Sequence, residues 1–327
     1  MVSNTRLTVC IPVYNMQATI GAAIDSAVLS VGNYSADILV IDNASNDETY
    51  TIIKNYESIY PCVRVIRNDT NVGFANNFIK CIAESNGEFV TFIGADDLLL
   101  PGITSFVDEV SKHESVVVAD ASIRVAIDSL HSGYRDISFG VELKKFTFIN
   151  HETVSDWWLS SAFSALPGWI VRRSSALYIL SKMPTNTIIP QIHLAFYLSQ
   201  EGDALHIPLA IARQHLGNSY NQLANKLYMT NSTHREMIML ISQITPCVRQ
   251  KILNRYLKDS VYAFPGYKAF SGNKLLLLIF KSTFMIIPKS NMIPLFRLFT
   301  ITVLLFLVPK KITYYGLICY RKLLMRG

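Results

Sequence analysis

The sequence predicts an α/β protein built on a doubly wound, mostly parallel β-sheet. Short apolar segments rich in β-branched residues alternate with segments of helical length, and this alternation favours parallel pairing through right-handed crossovers. The apolar segments are hydrophobic along nearly their whole length, which is typical of strands covered on both faces. The predicted strands are Leu7–Ile11, Asp37–Ile41, Val63–Arg67 and Phe89–Ile93, and the predicted helices between them are Ala18–Ser30, Asp47–Tyr56 and Ala75–Glu84.

Charge divides the 327 residues into two unlike parts. All 24 acidic residues lie in 1–259, together with 20 of the 30 basic residues. Residues 260–327 hold the other ten basic residues and no acidic residue. The net charge of +6 therefore describes neither part, because the body is mildly acidic and the tail is strongly basic.

Three classes of protein are disfavoured. The first apolar segment stops at Pro12 and is too short for the core of a secretory signal peptide, so none is expected. The five cysteines are scattered without CxxC spacing, which favours reduced thiols in a cytosolic protein over a disulfide framework or a zinc site. The loop after the first strand reads Pro-Val-Tyr-Asn instead of G-x-G-x-x-G, and no P-loop is present, so phosphates must be held in another way.

Carboxylates follow two of the predicted strands. Asp96 and Asp97 come directly after the fourth strand, and Asp42 ends the second, where it can accept hydrogen bonds from a ribose or a base. Ligands bind outside the carboxyl ends of the strands in open α/β sheets. Two buried like charges are costly unless a cation neutralises them, and Mg²⁺ or Mn²⁺ carrying substrate phosphates is the natural neutraliser. The alternative for Asp97 is that it only caps a following helix.

Four segments of residues 7–102 together resemble the family 2 glycosyltransferases of GT-A fold. Each is a weak motif alone, but all four occur in order and at natural spacing. The resemblance is tight over this first third and continues more loosely to about residue 215. The four segments are Ile11-Pro12-Val13-Tyr14-Asn15, Val40 to Asp47, Asn71 to Asn77, and the Asp-Asp-x-x-x-Pro-Gly sequence that starts at Asp96.

The resemblance implies roles for individual residues. Asp96 matches the last carboxylate of the family's Asp-x-Asp signature and would bind the divalent metal, Mn²⁺ or Mg²⁺, with Asp97 as its helper in catalysis. Gly94 stands where the first Asp of that signature would be, so metal affinity is expected to be weak or to depend on the diphosphate. The residues implied to bind the nucleotide are Pro12, Tyr14, Asp42, Asn71, Gly73 and Asn77.

The general base of an inverting transfer is harder to find. In the family it is often the Asp of a Glu-Asp pair that opens a helix, and here that helix is predicted as Ile192–Gln200. The pair would fall at Pro190 and Gln191, so it is missing. His193 is the nearest candidate base, with a histidine on the helix surface or half-buried as the alternative. Gln191 could orient a sugar. The outside candidates are Asp156, Glu201 and Asp203.

A strand at Gly168-Trp169-Ile170-Val171-Arg172-Arg173 is also implied by the resemblance. Trp169, with Trp157, Trp158 and Phe163, could form an acceptor wall, because aromatic rings stack on the apolar faces of sugars. Ordinary core aromatics are the alternative. Arg172 could contact the diphosphate, or could simply be solvated.

The basic tail predicts contact with a membrane surface. Its best uninterrupted apolar run, Leu298–Val308, is well short of the roughly 20 residues that a spanning helix needs. Basic residues interleaved with aliphatic and aromatic ones are typical of segments that lie in the interface of anionic membranes. A buried helical hairpin or a dimer contact is the alternative. Nucleic-acid binding is disfavoured by the many aliphatic side chains.

These observations predict a hexosyl- or deoxyhexosyl-transferase. Residues 1–215 would form the GT-A domain, with a donor half over about 1–102 and an acceptor half over about 103–215. Residues 216–327 would form a helical C-terminal region, with 260–327 at the membrane. The resemblance implies transfer from a nucleotide-diphosphate sugar to a polyprenyl-diphosphate-linked glycan in bacterial surface polysaccharide (O-antigen-like) biosynthesis, peripherally at the cytoplasmic face of the inner membrane. Two alternatives stay open, a catalytically degenerate binding partner of a polysaccharide assembly complex and a sugar nucleotidyltransferase.

Overall fold

The computed structural model describes residues 5–126, 134–137, 147–149, 166–198, 200–215, 236 and 239–240. The chain divides into two compact units, Met1–Gly217 and Asn218–Gly327. Almost all described residues belong to the first unit, and the predicted membrane segment 260–327 lies outside them. No helix in the described part of the chain is long and apolar enough to cross a bilayer.

The first hundred residues alternate strands and helices as predicted. Helix α1 shows why the pattern folds this way, since Ile20, Ala23, Ile24, Ala27 and Val31 recur at helical spacing and are all buried. The elements are β1 (Leu7–Val13), α1 (Ile20–Val31), β2 (Ala36–Asp42), α2 (Thr49–Ile59), β3 (Val63–Arg67), α3 (Gly73–Glu84), β4 (Phe89–Phe92), β5 (Leu98–Leu99) and α4 (Ile103–Ser111).

The following elements complete the described part of the first unit. They include the predicted strand before Arg173 and the predicted helix near His193, which begins at Pro190. The elements are β6 (Val116–Ala126), β7 (Tyr134–Ile137), β8 (Thr147–Ile149), β9 (Trp169–Arg172), α5 (Arg173–Ile179), a 3₁₀ turn (Leu180–Lys182), α6 (Pro190–Leu198) and β10 (Asp203–His215).

One sheet unites the strands in the order β3-β2-β1-β4-β9-β6-β10-β5, with β7 beside β6 and β8 beside β10. Strands β3, β2, β1 and β4 pair in parallel, which confirms the prediction for the first hundred residues. In the rest of the sheet the prediction of parallel pairing holds only for β6 and β10, which pair in parallel. Strand β9 runs antiparallel to both β4 and β6, and β5, β7 and β8 also pair antiparallel, so the sheet is mixed.

An aromatic cluster packs helix α3 against the neighbouring strands β4 and β9. The rings of Phe78 and Phe92 stack with centroids 4.3 Å apart, and the Trp169 ring lies 5.3 Å from that of Phe92. All three side chains are fully buried. Because aromatic side chains bury large apolar areas, this cluster fixes α3 and β9 against β4 below the edge where the polar loops emerge.

Candidate active site

The carboxyl ends of β1, β2 and β4 lie side by side at one edge of the sheet. Val13 at the end of β1 is in register with Asp42 at the end of β2, and Cys10 is in register with Phe92 of β4. The polar loops that follow these strands therefore meet at this edge, as the sequence predicts. This is the edge of an open α/β sheet at which ligands bind.

The carboxylates of Asp96 and Asp97 converge on Gly94. A Cβ atom placed on Gly94 would lie 2.6 Å from Asp97 Oδ2 and 2.9 Å from Asp96 Oδ1, closer than real Cβ atoms approach. Asp97 is 4% exposed, and its Oδ2 accepts a hydrogen bond of 3.0 Å from the Gly94 N–H. The Asp97 carboxylate thus occupies space beside Gly94, where the Asp-x-Asp signature would place its first side chain.

The alternative role of Asp97 as a helix cap is not observed. Asp97 is followed by β5, and the next helix, α4, begins only at Ile103 with Gly102 at its N-cap. The carboxylate of Asp97 instead closes the loop that it belongs to. The two carboxylates supply hard oxygen ligands, which Mg²⁺ and Mn²⁺ prefer, although no group of three or more His, Cys, Asp or Glu side chains that could hold a metal ion occurs among the described residues.

Asp42 lies where the sequence places it, but its carboxylate is fully buried. Arg67 approaches within 3.3 Å of Oδ2, and the backbone N–H of Ser45 donates to Oδ1 over 3.2 Å. The Arg67 guanidinium also donates to the Ser45 carbonyl oxygen and lies over the Tyr50 ring. Asp42 therefore orders the loop after β2, and its direct contact with a nucleotide stays a prediction.

A chain of asparagine amides positions the loop before α3. Asn68 donates from Nδ2 to the side-chain oxygens of Asn43 and Asn77 over 3.0 and 2.9 Å. Asn77 donates to the Ile41 carbonyl oxygen, and Asn43 donates to Asn71 Oδ1. Because Asn77 is only 2% exposed and both ends of its amide are engaged, it supports the loop and does not face a ligand.

The residues of this loop and of the start of α3 that face solvent include Asn71, Val72, Gly73 and Phe74, and Tyr14 is exposed after β1. Gly73 adopts φ +81°, a left-handed conformation that side chains disfavour, and nothing lies within 4 Å of the position of its missing Cβ. Tyr14 is 42% exposed, whereas Pro12 is buried within β1. Of the six residues predicted to bind nucleotide, the structure thus exposes three and buries Pro12, Asp42 and Asn77.

Helix α6 carries the two predicted residues of the acceptor side. Gln191 is 8% exposed and His193 is 1% exposed, so both are buried and the alternative of a surface histidine is wrong. The first turn of α6 contains no acidic residue. Within the described residues, Gln191 Oε1 is buried without a hydrogen-bond partner. A proton acceptor at the start of this helix is therefore not a carboxylate.

Trp169 is buried in the core, and Arg172 lies away from the edge that carries the carboxylates. The Trp169 side chain has no exposed surface, so the ring belongs to the core and offers no face to a sugar. Arg172 is in register with Phe89 at the start of β4, and its guanidinium donates to Glu88 over 2.9 Å. That position is the opposite edge of the sheet from Asp96, which corrects the prediction that Arg172 contacts the diphosphate.

The outside candidates for the base also lie elsewhere or are not described. Glu201 is exposed and forms an ion pair of 2.8 Å with Lys182. Asp203 begins β10 opposite Val116, the first residue of β6, at the edge of the sheet remote from Asp96. Asp156 lies outside the described residues.

Two features of the site were missed by reasoning from sequence. A pocket of about 190 Å³ is lined by Asp96 together with Arg213 of β10, and by Ala18, Thr19, Ala22 and Leu98. Arg213 reaches it because β10 pairs antiparallel with β5, which places Arg213 opposite Leu98. The only cue in the sequence was a charged residue directly after the apolar run 207–212.

The second missed feature is a buried pair of ionisable side chains on neighbouring strands. His206 Nδ1 and Asp120 Oδ1 lie 2.9 Å apart, and the two residues are 2% and 0% exposed. Burial lowers the pKa of His206, but the hydrogen bond and the negative charge of Asp120 raise it by more, so the pKa lies above its ordinary value. Asp120 is in register with Trp169, so the pair lies on the strands next to the one that carries Trp169 of the aromatic cluster.

Comparison with known proteins identifies the family to which the chain belongs. Residues 8–178, which include the polar edge and β9, match the model of glycosyl transferase family 2. The chain belongs to this family. A relative from Campylobacter jejuni, the GalNAc(5)-diNAcBac-PP-undecaprenol beta-1,3-glucosyltransferase, is 30% identical over 101 residues, which are 31% of this chain and 32% of that protein. Such alignments span less than half the length of the related sequences.

Solved structures show the same fold. Residues 1–349 of TarS from S. aureus in complex with UDP-GlcNAc superpose with a TM-score of 0.65 and 13% identity, over 97% of this chain and 92% of that one. The mannosyltransferase PcManGT from Pyrobaculum calidifontis, in complex with GDP-Man and Mn²⁺, gives a TM-score of 0.55 and 15% identity over 95% and 83% of the two chains. At these identities the likeness establishes the fold, which is the mixed α/β fold of GT-A glycosyltransferases.

Proposed function

We propose that this chain transfers a sugar from a nucleotide-diphosphate donor to a hydroxyl group of a lipid-linked glycan. The observation that carries the proposal is the convergence of the Asp96 and Asp97 carboxylates on Gly94, at the ligand edge of a family 2 chain. Neighbours of the same fold bind UDP-GlcNAc, or GDP-Man with Mn²⁺. The related Campylobacter enzyme is named for an undecaprenyl-linked acceptor.

Asp96 and Asp97 would hold a divalent cation, Mn²⁺ or Mg²⁺, at this edge. Such a cation neutralises the diphosphate and stabilises it as the leaving group. The loops that carry Tyr14 and Asn71 would flank the nucleotide, because both residues are exposed in loops that follow strands at this edge. The buried amides of Asn68 and Asn77 would keep the second of these loops fixed before the donor binds, which lowers the ordering cost of binding.

The acceptor side has to supply a proton acceptor if the transfer inverts the anomeric carbon. His193 of α6 is the candidate, because the ring nitrogen of a neutral imidazole can accept a proton. Its 1% exposure means that the region before α6 must admit the acceptor before His193 can take a proton. Gln191 would orient the sugar through its amide.

The acceptor and the location of the enzyme are proposed from composition and family. The ten basic residues of 260–327, without one acidic residue, would attract this segment to anionic lipid at the cytoplasmic face of the inner membrane. A peripheral position there brings the site to a polyprenyl-diphosphate-linked glycan. The product would serve the assembly of bacterial surface polysaccharide of the O-antigen type.

A second function is favoured by one observation. The first turn of α6 lacks the carboxylate that many members of the family use as base. A nucleotide-sugar-binding partner without transferase activity would keep the donor edge and lose the base. This candidate predicts donor binding without turnover.

The test compares Asp96→Asn with a matched control, Glu114→Gln, which removes an exposed carboxylate in the loop before β6. Each protein is measured for thermal stabilisation by UDP-, GDP-, CDP- and dTDP-sugars with and without Mn²⁺, and for release of the nucleoside diphosphate. Metal-dependent stabilisation and turnover, both lost in Asp96→Asn alone, support the transferase. Binding without turnover on any lipid-linked acceptor supports the second candidate. Full activity of Asp96→Asn rules out the metal site.

A further inference from the structure

Strand β5 directly follows the two carboxylates that the proposed function uses as metal ligands. It has only two residues, Leu98 and Leu99, and it lies at one end of the strand order of the sheet. An end strand has a neighbour on one side only, so its other side presents unpaired backbone N–H and C=O groups. Leu99 is 3% exposed, and buried backbone groups without partners are costly. The outer side of β5 therefore needs partners that do not come from a strand.

Leu99 is the residue of β5 whose backbone N–H and C=O point away from β10. Hydrogen-bonded and non-hydrogen-bonded residue pairs alternate along an antiparallel pair of strands. The Leu100 N–H donates to the Ile211 carbonyl oxygen over 2.8 Å, so the backbone of Leu100 faces β10. Leu99 precedes it and lies opposite Ala212, so its own N–H and C=O face the other side.

Two serines of helix α1 meet these backbone groups. Ser26 Oγ accepts a hydrogen bond of 3.0 Å from the Leu99 N–H, and Ser30 Oγ donates one of 3.1 Å to the Leu99 carbonyl oxygen. The serines are four residues apart, so they lie on one face of the helix. The Ser26 hydroxyl also donates to the Ala23 carbonyl oxygen over 2.7 Å, which fixes its orientation. The two hydroxyls therefore replace the neighbouring strand that β5 lacks on this side.

The turn that carries the carboxylates is thereby anchored at both ends. Before the turn, the Ile93 N–H donates to the Cys10 carbonyl oxygen of β1. Within it, the Gly94 N–H donates to Asp97 Oδ2 and the Asp97 N–H donates to the Gly94 carbonyl oxygen, each over 3.0 Å. After it, only Leu98 separates Asp97 from the backbone that the serines hold. Without that anchor the end of the turn can move, and metal–ligand distances tolerate a change of only about 0.2 Å.

We propose that Ser26 and Ser30 are positioning residues for the metal site. They hold Leu99 from the side of α1, and through Leu99 they keep the carboxylates of Asp96 and Asp97 in place for the divalent cation. The inference rests on the proposed function, because it assumes that these carboxylates bind the cation. Groups that orient metal ligands typically change metal affinity about 10–100-fold when they are removed. The serines act through the backbone, so we expect an effect at the lower end of this range.

The experiment measures the affinity of the full chain for Mn²⁺ in the presence of UDP or GDP, from the EPR signal of free Mn²⁺. Denaturant unfolding of the same proteins measures their stability. The variants are Ser26→Ala, Ser30→Ala and the double variant, with Ser26→Thr as the conservative change that keeps the hydroxyl. The matched control is Ser85→Ala. Ser85 Oγ donates to the Ile82 carbonyl oxygen and accepts from Arg173 Nε, and it precedes β4, whereas the carboxylates follow that strand.

A positioning role predicts that each single alanine variant of α1 weakens Mn²⁺ binding about threefold and the double variant about tenfold. Ser26→Thr and Ser85→Ala should keep wild-type affinity, although Ser85→Ala lowers the denaturation midpoint as the other alanine variants do. Wild-type Mn²⁺ affinity in the folded double variant, or in Ser26→Ala if Ser30→Ala does not fold, overturns the inference and leaves the proposed function standing. Equal weakening by Ser85→Ala also overturns it. A folded wild-type protein that binds no Mn²⁺ overturns the metal site and the inference together.

Discussion

Substituting Gly94 by alanine should displace the carboxylates of Asp96 and Asp97 and leave both side chains chemically unchanged. The new Cβ would lie 2.6 Å from Asp97 Oδ2 and 2.9 Å from Asp96 Oδ1, whereas ordinary contacts begin at 3.4 Å. The two oxygens would have to retreat by about 0.8 and 0.5 Å, well beyond the ±0.2 Å tolerance of metal–ligand distances. We therefore expect Gly94→Ala to lose most of its affinity for Mn²⁺.

The same substitution should cost stability. Retreat of Asp97 breaks the hydrogen bond of 3.0 Å from the Gly94 N–H to a carboxylate that is 4% exposed. A hydrogen bond to a charged group contributes about 1.5–3 kcal/mol to the free energy of unfolding. For a domain of this size, 1 kcal/mol shifts Tm by about 2–4 °C, so Tm should fall by about 3–12 °C.

The assay pairs denaturant unfolding with Mn²⁺ titration, and Gly73→Ala is its matched control. Gly73 has φ +81° and open space around its missing Cβ, so alanine there should cost about 1–2 kcal/mol from backbone strain alone and leave Mn²⁺ affinity unchanged. In an Asp97→Ala background, Gly94→Ala should cost much less stability, because the closest clash is gone. Wild-type Mn²⁺ affinity in Gly94→Ala would refute the two-carboxylate site.

Three further predictions concern the parts that support the site. The ion pair of His206 with Asp120 stabilises the fold fully below the ordinary histidine pKa of 6.5 and is lost as pH rises through the raised pKa, so the stability advantage of wild type over His206→Gln should shrink as pH rises above 6.5. An advantage that grows with pH would contradict the assignment. Arg67→Met leaves the fully buried Asp42 without its cation, and because Arg67 is 41% exposed we expect the free energy of unfolding in denaturant to fall by about 1–3 kcal/mol. An unchanged denaturation midpoint would show that water replaces Arg67. Asn68→Ala removes two buried hydrogen bonds, so it should lower the free energy of unfolding by about 2–3 kcal/mol and weaken donor binding measured by calorimetry. Donor affinity equal to that of wild type would show that the asparagine amides do not support donor binding.

The first hundred residues were predictable because their signals are local. Strands β1, β2 and β4 are largely apolar segments, and Asp42 and Asp96 lie at or soon after strand ends in sequence as they do in space. What sequence could not supply is the direction in which a side chain points. Nothing local indicates that Asn77 turns inward to Asn68 and the Ile41 carbonyl oxygen.

The second half depends on pairings between distant segments. Trp169 is buried because β9 enters between β4 and β6, a pairing that joins residues far apart in the chain. The same antiparallel entry carries Arg172 to the opposite edge, where Glu88 binds it. Arg213 borders the pocket for a similar reason, through the pairing of β10 with β5. Patterns within a segment carry no information on such long-range pairing.

The pairing of β10 with β5 also sets the order in which the site can appear during biosynthesis. Leu98 leaves the ribosome more than a hundred residues before Arg213, its partner across the two strands. At about 5–20 residues per second, translation of that interval takes about 6–23 s. The nascent chain can therefore form β1 to β4 and present its carboxylates long before Arg213 exists. During that interval the edge is acidic and lacks its arginine, so the donor edge and the pocket mature as two separate events.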